Sequence, residues 1–278
     1  MQTDEVELAV TIERHEARVW AAFAVAAATL PGNPLGAVCD DQHAVPLTAM
    51  TSLNFAGFNR VISLGMGNEA TTTDLDDIVD FYGSLGQSRF GVEITPWATP
   101  SRLGDWLFDR GFRPAELSIV KSWRPLDELP NRNESVNVVV LNESHADDWS
   151  ALHRQVRGVP RMIGPWFSAG FHAEGFVHFG VYDDDELVAG AAMYVSNGLM
   201  WKGFSATLTS HRGRGLQKAI SIELLHAARE LGCHTAHIEN DPDTKDQVCI
   251  SLLNMKKIGF RVLYERQNYL SPGAALGV

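Results

Sequence analysis

The chain has 278 residues, 45% of them hydrophobic, with 23 Lys+Arg against 34 Asp+Glu and a formal net charge of −11. This length suits about two domains, each with its own core, and seven Trp and thirteen Phe exclude a disordered chain. The negative balance excludes non-specific attraction to nucleic acid or to an acidic membrane, because phosphates are held by net positive surface.

The first residues carry Asp4, Glu5 and Glu7, where a secretory leader carries positive charge. The predicted first helix, near Val6–Leu30, contains the longest apolar run, Val19–Leu30, which is too short to span a bilayer. Strands are predicted around Leu47–Asn54 and Asn59–Met66, then a helix from Thr73 to Leu85 and a strand Arg89–Thr95. A helix Ser101–Arg110, the tripeptide Gly111-Phe112-Arg113 and a strand Leu117–Trp123 complete the first half. A stretch with Pro125 and Pro130 and polar residues to Ser135 reads as a linker, placing a boundary near residue 130.

After a strand Val136–Leu141, Ser144 caps a helix with Trp149, Leu152 and Val156 at helical spacing. Gly158, Pro160, Gly164 and Pro165 break the chain in a loop bearing Met162, Trp166 and Phe167. Three strands follow, Phe176–Tyr182, Leu187–Val195 and Leu199–Leu208, the last two joined by the hairpin signal Asn197-Gly198. A helix from Gly215 to Leu231 stops at Gly232. A strand His234–Glu239 leads to a helix opened by Thr244-Lys245-Asp246-Gln247, a capping-box pattern. That helix ends at Gly259-Phe260-Arg261, before an extended run to Leu270. The two halves thus share an element order and a Gly-Phe-Arg tripeptide, the pattern of an internal duplication. Charge divides unequally between them. Through Glu134 there are 10 basic and 19 acidic residues, against 13 and 15 afterwards, so an anion site belongs in the second half.

The segment Leu208–Lys218 lies between a predicted strand and a predicted helix. Gly213 and Gly215 remove side chains where backbone approaches a ligand, and the helix start offers unpaired N–H groups and a positive dipole end. Arg212, Arg214 and Lys218 add charge suited to a pyrophosphate. The same residues also suit a plain polar loop capping a helix. The segment lacks the Gly-Lys-Ser/Thr end of a Walker A loop and the third glycine of a dinucleotide fingerprint.

Arg212-Gly213-Arg214-Gly215-Leu216-Gln217 resembles the Arg/Gln-x-x-Gly-x-Gly/Ala signature of the GNAT acyltransferase superfamily, with Gln217 at the last position. Ser251, Asn254, Gly259-Phe260 and Tyr264 are similar to the tail of a branch of that family, and the resemblance covers roughly residues 136–270. It implies an α/β (α+β) fold of two tandem GNAT-like domains, each a mixed, mostly antiparallel sheet flanked by helices. Residues 1–130 would be a degenerate copy and residues 136–278 the acetyl-CoA-binding one. The place of a cradle in the first copy, Gly65–Asp74, has no Arg and carries Glu69 and Asp74.

By the same resemblance, Ala206, Thr207 and Leu208 face the thioester and pantetheine, with the Leu208 N–H as oxyanion donor. Arg212 to Lys218 hold the pyrophosphate, and Asn240, Ser251 and Asn254 contact CoA. Ser251 and Asn254, three apart, share a helix face, while Val248, Leu252 and Met255 form a separate apolar one. The tyrosine that many members use as general acid is replaced by Met255, which leaves Tyr264 as the substitute. Glu239 is the candidate base, with His237 on its face. In Cys233–His237, positions 234 and 237 point to opposite sides of a strand, so no metal is expected.

The leading expectation is a cytoplasmic acetyl-CoA-dependent N-acyltransferase acting on an amine of a small-molecule or amino-acid-like acceptor. It involves no nucleic acid and no membrane, and leaves room for a homodimer. The missing family tyrosine and the doubled domain also suit a non-catalytic CoA-binding regulatory module. The apolar loop Met162–Phe167 also suits a longer acyl group.

Overall fold

The computed structural model describes residues 2–273. In chain order the elements are α1 (Gln2–Thr29), β1 (Ala37–Asp40), β2 (Leu47–Met50), β3 (Arg60–Val61), α2 (Thr72–Ser84), β4 (Gly91–Ile94), α3 (Leu103–Asp109), β5 (Arg113–Pro114) and β6 (Ile119–Pro125). The second series is β7 (Val139–Leu141), α4 (Ala146–Arg157), α5 (Gly164–Ser168), β8 (Phe176–Asp183), β9 (Glu186–Ser196), β10 (Leu199–Thr207), α6 (Leu216–Glu230), β11 (Thr235–Asn240), α7 (Ile250–Lys257) and β12 (Arg261–Leu270). No described helix is long and apolar enough to cross a membrane.

The chain forms two compact units. Residues up to Lys121 and those from Leu263 on make unit 1, and Ser122–Val262 make unit 2. The division departs from the expected one, 1–130 and 136–278. The first boundary falls within β6, and most of the final strand belongs with the N-terminal unit.

In unit 2, antiparallel pairing joins β7 to β8, β8 to β9 and β9 to β10, while β10 and β11 run parallel. A parallel neighbour requires a crossover, which α6 supplies. Unit 1 repeats this device: β3 and β4 are parallel with α2 between them, and β12 pairs antiparallel with β4. The expected strands Leu47–Asn54 and Asn59–Met66 shrink to β2 and β3, because the chain turns at 51–58 and again after Val61. β1, which pairs with β2, has no counterpart in the sequence reading. Thr244-Lys245-Asp246-Gln247 forms a local turn, with the Gln247 N–H donating to Thr244 Oγ1 at 3.0 Å, but the helix begins only at Ile250.

In unit 1, the buried stripe of α1 includes Ala9, Ile12, Val19 and Phe23, and also Glu13 and Glu16 at 0% exposure. These two carboxylates face the fully buried Arg266 of β12. Arg266 Nη1 lies 2.9 Å from Glu13 and 3.0 Å from Glu16, and Nη2 lies 2.5 Å from Glu93 on β4. Lys121 pairs with Glu16, and Arg60 with Glu93 at 3.1 Å. The Tyr264 hydroxyl donates to Glu13, whose carboxyl burial pushes up against the opposing pull of Arg266 and Lys121. Three acids and three cations neutralise one another inside a core. Arg266→Ala strips one guanidinium from three buried carboxylates, so it is expected to destabilise unit 1 by about 3–5 kcal/mol. Urea denaturation checks this, and an unchanged midpoint would show that the charges are not coupled.

Candidate active site

The candidate site of unit 2 starts where two strands part. β10 and β11 pair from Leu199 opposite Thr235 to Lys202 opposite Ile238, and the pairing ends there. β10 continues to Thr207 on the β9 side, with Ala206 opposite Gly190 and Thr207 opposite Ala189. Gly203 stands opposite Ala192, so β10 carries one more residue than β9 over this interval, a β-bulge. The local sequence builds it. The Trp201 indole covers Gly203, where an added Cβ would lie 1.8 Å from ring atom Cη2. Phe204 then adopts φ +51°, a left-handed value uncommon for a bulky residue. Ser205 is braced twice: Arg157 of α4 donates to its carbonyl at 3.4 Å, and Lys202 Nζ donates to its Oγ at 2.6 Å.

Past the bulge lies a cleft of about 590 Å³, lined by Ser205, Ala206 and Thr207 on one side and by the loop and first turn of α6 on another. Gly213 and Gly215 have φ +79° and +77°, and a Cβ on either would meet no atom within 4 Å. They are glycines because the backbone is left-handed, and the space beside them is open. Gly215 caps α6, and a glycine brings no side chain to bond the first amides of the helix. Those N–H groups and the positive dipole end therefore remain available to an anion. Arg212, Leu216, Gln217 and Lys218 line the same cleft. Arg214 does not. It and His211 bond to Asp183 at the end of β8, at 3.3 and 2.9 Å, and the His211 hydrogen bond leads in holding that carboxyl below its ordinary value.

The far wall is α7. Ser251 and Asn254 share one face as expected and both line the cleft. Gln217 ties them to α6: its Nε2 donates to Ser251 Oγ at 3.1 Å, and its Oε1 accepts from Asn254 Nδ2 at 2.7 Å. Asn240 Nδ2 donates to the same Ser251 hydroxyl at 2.9 Å, so Asn240 supports the wall rather than lining it. The residue that departs from the family signature, Gln217, is thus the hub that fixes α6 to α7.

The residues expected to act in catalysis do not line this cleft. The Leu208 N–H is engaged by the Val188 carbonyl at 2.9 Å, which removes it as an oxyanion donor. Glu239 is half-buried on β11 and is not among the lining residues. His237 is fully buried. Tyr264 belongs to unit 1, where burial and the neighbouring Glu13 hold its phenol well above the ordinary value. Its hydroxyl is committed to the buried Glu13 carboxylate. Among the described residues no group of three His, Cys, Asp or Glu could hold a metal ion.

Lys202 and Ser205 escaped the sequence reading. Lys202 is fully buried, and burial alone pushes its ammonium down to about 8. An aromatic layer lies near it. His153 stacks on Phe167 at 5.0 Å and meets Phe204 edge-on at 6.2 Å, while His178 stacks on Phe171 at 3.8 Å. Burial lowers both imidazoles, His178 to about 3.

The corresponding place in unit 1 is closed chemically. The first turn of α2 is capped by its own residues: the Asp74 N–H donates to Thr71 Oγ1 at 3.2 Å, and the Thr71 N–H to Asp74 Oδ2 at 2.7 Å. The carboxylate of Asp74 therefore sits at the positive end of the helix. A neighbouring cavity of about 310 Å³ does contain arginines, against expectation, because α1 supplies Arg14 and Arg18. Arg14 Nε is bonded to the Met66 carbonyl at 3.1 Å.

No family model matches the sequence, and no curated protein matches it. Solved structures do. A GCN5-related N-acetyltransferase from Kribbella flavida is 17% identical, with 91% of this chain and 96% of that one covered and a TM-score of 0.63. A tandem GNAT protein from the clavulanic acid biosynthesis pathway is 14% identical, with 83% and 79% covered and a TM-score of 0.59. A functionally unknown conserved protein from Staphylococcus epidermidis is 9% identical, with 85% and 93% covered and a TM-score of 0.56. The fold is that of GNAT acetyltransferases in tandem form.

The buried imidazoles set a pH dependence. Below the unfolded value near 6.5 the unfolded chain takes up protons at His178 that the folded chain refuses until about 3. Stability is therefore lost as pH falls through that window, by up to about 1.4 kcal/mol per pH unit for each such histidine. His178→Phe is expected to flatten the decline between pH 6.5 and 4, read from denaturation midpoints against pH. A variant with the wild-type slope would exclude His178 as the titrating group.

Proposed function

We propose that unit 2 binds acetyl-CoA with its pyrophosphate at the start of α6 and transfers the acetyl group to the amine of a small-molecule acceptor. The observation that carries this reading is the uncapped start of α6, behind two left-handed glycines, opening onto the cleft where β10 and β11 part. Each part suits a piece of the donor. Arg212 and Lys218 supply charge for phosphates, and the α6 amides supply directional donors. The unpaired strand edges offer backbone groups to the amides of pantetheine, which would lie along Ser205–Thr207. The α7 wall, through Ser251 and Asn254, presents neutral hydrogen-bonding groups suited to the rest of the CoA arm. Direct attack by the amine is then a matter of orientation and charge stabilisation.

A second reading, a CoA-binding module without turnover, draws on the loss of two candidate groups: the Leu208 N–H is engaged and Tyr264 is committed to Glu13. The two readings share the cradle and part at chemistry. A panel of small amines with acetyl-CoA, followed by release of free thiol, separates them: thiol release dependent on an amine supports transfer, and binding without release supports the module.

Gly215→Glu places a side chain and a negative charge in the anion site, and forces a non-glycine residue into a left-handed cap. It is expected to abolish CoA binding by calorimetry in a protein that still folds; wild-type affinity would remove the cradle from the function. Wild-type protein is expected to bind one CoA per chain, because the α2 start is occupied by Asp74. A stoichiometry of two would show that unit 1 also binds the nucleotide.

A further inference from the structure

Lys202 and Ser205 are three residues apart, a spacing that places side chains on opposite faces of a regular strand. They nevertheless touch, with Nζ 2.6 Å from Oγ. The extra residue of the bulge, inserted between Gly203 and Ala206, turns Ser205 back toward Lys202. Its cost is visible in Phe204, held at φ +51°. Ser205 lines the cleft, whereas Lys202 is fully buried behind it. The hydroxyl is the only group among the described residues to which Nζ is hydrogen-bonded, and no carboxylate pairs with it.

A buried lysine without an acid is expensive, and a fold that needed only packing would have an apolar residue there. The ionisable groups of the surrounding elements do not account for it. His237 and Glu239 flank Ile238, the partner of Lys202 on β11, and Tyr194 lies on β9 one position beyond its partner Met193. His153 and Arg157 lie on α4, where they bond to each other at 2.6 Å. Lys218 is on the exposed side of the first turn of α6. None of these leads the lowering of the amine, which follows from burial.

We propose that Ser205 and Lys202 form the proton port of acyl transfer, with Ser205 as the catalytic residue that meets the acceptor amine and Lys202 as the base behind it. The step rests on the acetyl-transfer reading above. The acceptor arrives as an ammonium, which cannot attack. It gives a proton to Ser205 Oγ while the Ser205 proton passes to the uncharged Lys202 amine. The hydroxyl is left as it began, and Lys202 becomes an ammonium. The freed amine forms the C–N bond, the C–S bond breaks, and the second nitrogen proton goes to the departing sulfur. Lys202 returns its proton to solvent before the next turnover, so each cycle releases one proton. Burial pushes the amine down to about 8, so about a tenth of it is uncharged at pH 7 and half at pH 8, within the range where a general base works efficiently.

The test uses the full chain with acetyl-CoA and an amine from the panel that the wild type accepts. The wild type is expected to show kcat/KM rising with pH to a plateau above about 8. Lys202→Met is expected to lose about 10²- to 10⁴-fold in kcat/KM together with that pH limb, and to bind CoA with wild-type affinity by calorimetry. Ser205→Ala should show a loss of similar size. Lys202→Arg keeps a charge but not a base, and should fail to rescue. Independently of activity, the ¹³Cε resonance of Lys202 should titrate near 8. Lys202→Met with wild-type kcat/KM and pH limb, or an amine that stays protonated above pH 10, overturns the proton port. A wild type that binds CoA but acylates no amine overturns the transfer reading itself, a failure told apart because it strikes the unaltered protein.

Discussion

The site of unit 2 depends on a single constraint, the end of pairing between β10 and β11 after Lys202 and Ile238. Two parallel strands that stay paired leave no room for a ligand between them. Here one inserted residue bends β10 away while β9 keeps hold of it. Past the bend, Ser205, Ala206 and Thr207 line one cleft together with the loop and first turn of α6. Gly203 under Trp201, the strained Phe204 and the twice-braced Ser205 are all parts of this one departure from a regular ladder.

The two units show how small a difference separates a receptive helix start from a closed one. Both place a helix after a parallel strand and return to a second parallel strand. In unit 2 the cap is a glycine with no side chain to offer. In unit 1 it is a threonine answered by an aspartate three residues on, which satisfies the Asp74 amide and sets a carboxylate at the helix start, where an anion would otherwise sit.

Most of the cradle was legible in the sequence, because its signals are local. Gly213 and Gly215 fix backbone conformation, and the spacing of Ser251 and Asn254 fixes a shared helix face. Even so, Arg214 was drawn off by Asp183, a partner more than thirty positions away. What could not be read depends on register or on distant chain. Ser205 meets Lys202 only because of a bulge, and a bulge is a property of two strands rather than one. Tyr264 looked available from its place after Gly259-Phe260, but its partner Glu13 lies at the opposite end of the chain. The capping pattern at Thr244 formed its hydrogen bond and still did not start a helix, since one satisfied turn does not cover the cost of nucleation.

The order of synthesis gives the composition of unit 1 a further meaning. Unit 2 is a continuous stretch, Ser122–Val262, and all of its residues are present once that stretch has emerged. Unit 1 needs residues from both sides of it. Until Arg266 is made, Glu13 has neither its guanidinium nor the Tyr264 hydroxyl, and β4 lacks its antiparallel neighbour β12. The N-terminal unit, although translated first, is therefore the last to close. Its long helix α1 emerges with Glu13 and Glu16 in its buried stripe, carboxylates whose Arg266 partner on the last strand is made near the end.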